Sequence, residues 1–256
     1  MDVCLVQVNF TIIKMKTIEL LKPLAIFRDQ ETHKYFDETL QRWLAFSTTE
    51  VCNELTEEAK ENIEAYRYIW EPRGVKVHEC LQETMLGSGE IDAGDYEAWV
   101  GPLLEHELFT HFEPMAVELM MSIPDKSVGG QLDLLGYDTK TKQIRLIDLK
   151  TKGNSKYDIR KRFKEGMIEI EDVYINPFGH ENTFIKQYWK EPYSTDKQLG
   201  CYIEMLKLNY GLVPDVCNTI WAYEGRCILN NDQPTERCEA AWQEAWTKFE
   251  SKQELF

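Results

Sequence analysis

The chain has 256 residues, 43% of them hydrophobic and 29% charged, which are the proportions of a globular protein and not of a disordered tail. Such a length can bury one large core, so we expect a single domain over 1–256, mostly helical at 1–110 and carrying its core at 111–256 with an insertion near 153–193. The net charge of −15 excludes a protein that coats nucleic acid nonspecifically, because neutralising phosphates needs an excess of lysine and arginine.

Residues 3–13 are apolar but interrupted by Gln7 and Asn9, too short for a membrane span and without a basic leader or small-residue cleavage site. A sheet strand is expected there, with no membrane partner and no secretory signal. From Phe36 to Leu108 the chain reads as mostly helical. Residues 54–70 have a charged face, and Tyr96, Trp99, Val100, Leu103, Leu104 and Leu108 follow helical spacing. Between them, Leu81 and Met85 place His78 on a helix. Residues 115–121 form an apolar strand holding Glu118, which is expected outside any site because a strand glutamate is commonly just solvated.

The most informative segments come next, at 129–135 and 144–150. Alternation puts Leu132 and Leu134 on one face of the first strand with Asp133 on the other, and it points Asp148 and Lys150 the same way on the second. The polar residues 137–142 between them predict a hairpin that brings Asp133 alongside Asp148. Two aspartates and a main-chain carbonyl such as that of Leu149 suit Mg²⁺ or Mn²⁺, which prefer oxygen ligands and keep several waters. Lys150 can orient an attacking water and offset charge on a phosphorane-like transition state. Basic residues crowd 140–164, where Lys140, Lys142, Arg145, Lys150, Lys152, Lys156, Arg160, Lys161, Arg162 and Lys164 face only Asp148 and Asp158. A basic strip beginning at the site is therefore expected to guide a phosphate backbone.

After a charged and aromatic stretch that could hold a hairpin or a loop, Gln198 and Tyr202 share a face of a helix at 196–206 and can present an amide and a phenol to nucleic acid. Residues 217–223 read as a returning strand, and 235–252 as a final amphipathic helix with Trp242 and Trp246.

In order and spacing, His78, Gly130-x-x-Asp133, Asp148-x-Lys150 and Gln198-x-x-x-Tyr202 resemble the RecB-like branch of the PD-(D/E)xK nuclease superfamily, over roughly residues 70 to 205. Within that branch the chain is similar to mitochondrial and phage exonucleases. The resemblance implies an α/β, restriction-endonuclease-like fold, a mixed central sheet flanked by helices with a helical N-terminal portion. It also implies catalysis by Asp133, Asp148 and Lys150, metal held by His78, Asp133, Asp148 and the Leu149 carbonyl, and DNA positioned by Gln198, Tyr202, Thr151 and Lys152. The expected activity is metal-dependent hydrolysis of DNA, preferably at single-stranded or frayed ends. Two alternatives stay open: an endonuclease of the same fold, and a non-catalytic adaptor that uses the acidic surface or the insertion to bind a protein.

Seven cysteines, an odd number without clustered spacing, suggest free thiols in a reducing intracellular compartment, and no zinc pattern is present. Some RecB-like nucleases hold an iron–sulfur cluster on a compact C-terminal cysteine trio. Here Cys201, Cys217, Cys227 and Cys238 lie ten or more residues apart, so no cluster is expected.

Overall fold

The computed structural model describes residues 19–53, 55–88, 91–153, 168–175, 181–187 and 193–253. The expected strand at 3–13 and the basic residues 156–164 lie outside them. Short aromatic runs separated by turns make the first described elements strands, not helices: β1 (Ile26–Arg28), β2 (Tyr35–Asp37), β3 (Arg42–Trp43) and β4 (Phe46–Ser47). Phe27, Phe36 and Trp43 stand opposite one another across β1, β2 and β3, and aromatic cross-strand pairs of this kind favour strand over helix. The mostly helical portion therefore begins only at Thr48. There α1 (Thr48–Cys52) starts on a capping box, in which Ser47 and Glu50 each satisfy the other's backbone N–H.

Helices α2 (Glu57–Ala65), α3 (Arg67–Leu86) and α4 (Glu97–Leu104) follow. Then come the long strands β5 (Phe112–Ile123), β6 (Val128–Asp138) and β7 (Gln143–Lys152). A separate antiparallel pair, β8 (Ile168–Ile175) and β9 (Glu181–Gln187), occupies the insertion, so the hairpin alternative holds there. Helix α5 (Asp196–Tyr210), strands β10 (Val216–Tyr223), β11 (Arg226–Leu229) and β12 (Gln233–Pro234), and helix α6 (Thr235–Gln253) complete the chain.

The expected α/β architecture, a mixed central sheet flanked by helices, is the one observed. Strand order is β11-β10-β7-β6-β4, with β5 also on β6 and β12 also on β10; β10 runs parallel to β7, and β4 parallel to β6. One core packs α1, α5 and α6 against the sheet through Leu132, Leu135, Leu146, Tyr202 and Trp242. A second packs α3 and α4 through Val77, Leu81, Leu103, Leu134, Ile147 and Leu149. Among the described residues no helix is long and apolar enough to cross a membrane.

Two details of this sheet position the site. First, β6 is paired with β7 only from Leu134 to Asp138 and with β4 only at Val128 and Gly129, whereas β7 stays paired with β10 as far as Lys152. The sheet thus forks, and Gly130 to Asp133 line the opening. Second, alternation slips at the fork. Leu132 packs with the α5 and α6 core and Leu134 with the α3 and α4 core, which corrects the expectation that they share a face. Opposite, Glu118 on β5 has φ of 48°, a left-handed conformation that breaks the pleat, and Val117 and Leu119 consequently face different cores as well.

Candidate metal centre

The double glycine that precedes Asp133 is required by close packing. A Cβ on Gly129 would lie 2.6 Å from the Cβ of Tyr35, and one on Gly130 would strike the Thr48 hydroxyl and approach the Tyr202 ring at 3.1 Å. Both turns of chain that cover these glycines, β2 and α1, come from the N-terminal portion. Three residues beyond Gly130, the Asp133 side chain reaches across the fork. There Asp133 Oδ2 accepts a 2.6 Å hydrogen bond from the backbone N–H of Leu149, a side-chain bond spanning from β6 to β7.

On α3, His78 is one and two turns beyond Gly74 and Glu71 on the same helix face, and Gly74 passes beside the Thr151 hydroxyl of β7. The helix therefore aims the imidazole at the fork. His78 Nδ1 lies 2.8 Å from Glu118 Oε1 and 3.7 Å from Asp133 Oδ1. Glu118 Oε2 in turn accepts a hydrogen bond of 2.5 Å from the Gln131 amide. One donor atom each from His78, Glu118 and Asp133 falls within 4.8 Å of the others, a grouping that could hold a metal ion.

Glu118 is thus inside the site, a correction to the expectation that left it in solvent. Its side chain is only 13% exposed, and the backbone φ that turns it inward is not visible in an alternating sequence pattern. The available signal was a single charge in the apolar run 115–121. Tyr35, which covers Gly129, was likewise missed, because its strand lies far from the motif residues in sequence. Burial, with the charges of Asp133 and Glu118 nearby, pushes its phenol up to about 12.

Asp148 and Lys150 point the same way, as alternation predicts. Asp148 is fully buried; the Lys150 ammonium lies 2.7 Å from its Oδ1 and 2.6 Å from its Oδ2. Burial raises the Asp148 carboxyl to about 6 against the opposing pull of Lys150, and it raises Asp133 as well against that of His78. Burial alone would lower His78, but the carboxylates of Asp133 and Glu118 outweigh it and push the imidazole up to about 9. The same balance, of burial against Asp148 and Asp133, holds the Lys150 ammonium above its ordinary range. Three carboxylates thus face one ammonium and one imidazole, and a buried surplus of negative charge is what a divalent cation would neutralise.

Leu149 meets Asp133 through its N–H. Gln198 and Tyr202 do share a face of α5, where the Gln198 amide donates 2.8 Å to the Tyr202 hydroxyl; Tyr202 is buried with its ring against Gly130. Thr151 lies beside α3 at Gly74. The Lys152 ammonium sits 4.5 Å from the centre of the Tyr193 ring, and its carbonyl accepts from the Trp99 indole at 2.8 Å. The basic strip needs correction: Arg145 is buried and bonded to Asp138, Asn218 and Asp232, so it is a structural cation and not a phosphate contact. Cys52, Cys80, Cys201, Cys217, Cys227 and Cys238 are free thiols.

No protein-family model matches the sequence, and no curated protein matches it. Among solved structures, one from Eubacterium rectale, described as a "putative exonuclease", is similar with 13% identity and a TM-score of 0.37, over 68% of this chain and 64% of that one.

Proposed function

We propose that the chain is a metal-dependent nuclease that hydrolyses DNA phosphodiester bonds, acting on single-stranded or frayed ends. The observation that carries this reading is the convergence, at one fork of the sheet, of the His78, Glu118 and Asp133 donors with the buried Asp148–Lys150 pair. The donor set fits the group it would hold. Two hard carboxylates suit Mg²⁺ or Mn²⁺, and the imidazole tilts the balance toward manganese. Asp148, fully buried and held by the Lys150 ammonium at 2.6 Å from its Oδ2, brings a further carboxylate beside the set.

A divalent cation held by His78, Glu118 and Asp133, with Asp148 beside them, would act as a Lewis acid toward a phosphate oxygen and make water there a better nucleophile. The chain's own groups do the rest. Leu149 N–H and the Gln131 amide fix the orientations of Asp133 and Glu118. Asp148 holds the Lys150 ammonium at the fork, where it can orient the attacking water and counter the negative charge that builds on the phosphoryl oxygens. The Gln198–Tyr202 pair backs Gly130 and sets the wall against which the strand end would lie.

The test is to incubate the protein with EDTA, Mg²⁺ or Mn²⁺ on a 5′-labelled linear single strand and on a closed single-stranded circle, beside Asp148→Ala and Lys150→Ala. Metal-dependent loss of the linear strand alone, abolished by both substitutions, is expected. Cutting of the circle would replace the exonuclease with an endonuclease, and no cleavage of either would reject the enzyme in favour of a binding module.

A further inference from the structure

The parallel strands β7 and β10 end side by side, with Lys150 opposite Trp221 and Lys152 opposite Tyr223. Carboxyl ends of parallel strands are where α/β sheets gather ligands. Over this edge lies Tyr193, three residues before α5 and in none of the motifs read from the sequence. Its ring meets the buried Trp221 edge-on, at 5.2 Å between centroids and 80° between planes. The Lys152 ammonium stands 4.5 Å from the Tyr193 centroid and 5.8 Å from that of Trp221. Tyr193 is nonetheless 46% exposed.

A half-exposed aromatic side chain, fixed by Trp221 and Lys152, thus stands at the strand end that carries Lys150. We propose that Tyr193 is a stacking platform for the unpaired nucleobase next to the scissile phosphate, a role that rests on the nuclease reading above. Stacking accepts every base through its π-face, so the site would discriminate single strands from duplex without reading sequence. In a duplex the same base is occupied by its neighbours and partner and cannot lie on the ring. The flanking Lys152 and Lys150 supply the cations that a nucleotide's phosphates require.

The experiment measures binding of a fluorescent oligothymidylate in EDTA, by anisotropy, to the wild type, Tyr193→Ala and Tyr193→Phe. Each is also titrated with strands in which a single abasic spacer is walked along the sequence. Tyr193→Ala is expected to weaken binding about tenfold and Tyr193→Phe to bind within about twofold of the wild type, as base–aromatic stacking predicts. One spacer position should remove the difference between wild type and Tyr193→Ala. Equal binding by the wild type and Tyr193→Ala overturns the platform while leaving the nuclease reading intact, and so does a difference that persists at every spacer position. Failure of the wild type to bind any strand overturns both.

Discussion

The two ends of the β6–β7 hairpin each bury carboxylates beside a cation, and they treat them in opposite ways. At the turn end, Asp138 accepts N–H groups of Lys140 and Thr141 on one oxygen and the Arg145 guanidinium on the other, and Arg145 is completed by Asn218 and Asp232. Burial would raise the Asp138 carboxyl, but these bonds hold it down at about 2. At the fork, burial, with the charge of Asp133 beside it, outweighs the Lys150 ammonium and raises Asp148 to about 6. The same pair of strands thus ends once in a satisfied network and once in a charged cluster with more anions than cations. A satisfied network fixes a fold; a cluster with surplus negative charge is useful only if something positive comes to it.

The sharpest way to break this comparison is to remove the cation at each end. Lys150→Ala should lower cleavage on the order of a thousandfold while leaving the urea midpoint close to that of the wild type, since the Asp148 carboxyl it strands can take up a proton. Arg145→Ala should do the reverse. It takes the guanidinium away from Asp138 Oδ2 and Asn218 Oδ1 in the interior and should cost about 3 kcal/mol of stability, with cleavage by the folded fraction retained. Parallel urea melts and single-turnover assays on both variants read the two effects. Equal loss of activity and stability in both would mean that the fork is structural too.

That division was only partly legible in the sequence. The hairpin, the shared direction of Asp148 and Lys150, the pairing of Gln198 with Tyr202 and the return of β10 all follow from period-two or period-3.6 spacing, which is local. Glu118 was not legible, because its inward turn depends on a positive φ, which moves a side chain without changing the residue pattern. Nor was the burial of Arg145. Its partners Asn218 and Asp232 lie 73 and 87 residues away, so a count of local charges read it as part of a surface strip. The early strands β1 to β4 were missed for a similar reason. Each has two or three residues, too few for a period to show, and their pairing is made by cross-strand aromatics.

Smaller changes sharpen the contrast through pH. Asp138 has a folded pKa near 2 against an ordinary value of 3.8, so its contribution is fully present above about pH 4 and is lost as pH falls toward 2. Asp138→Asn should therefore cost about 2 kcal/mol at pH 7, and the gap to the wild type should close between about pH 4 and 2. Chemical denaturation at pH 7, 4 and 2.5 measures it; a gap independent of pH would assign the loss to packing.

At the fork the sign should invert. Asp133→Asn keeps an oxygen to accept the Leu149 N–H but removes one anion from a buried group already crowded by Glu118. In EDTA the variant should be as stable as the wild type or more so, by about 1 kcal/mol, since a site that holds like charges together trades stability for function. With Mn²⁺ at about a hundred times its dissociation constant the order should reverse, because binding to the folded state alone then adds about 2.7 kcal/mol to the wild type and little to the variant. Melting curves of both proteins with and without Mn²⁺ decide it. A wild type that melts identically in EDTA and Mn²⁺ would leave His78, Glu118 and Asp133 as a hydrogen-bonded cluster that binds no ion, and the fork would then resemble the turn end more than its charge suggests.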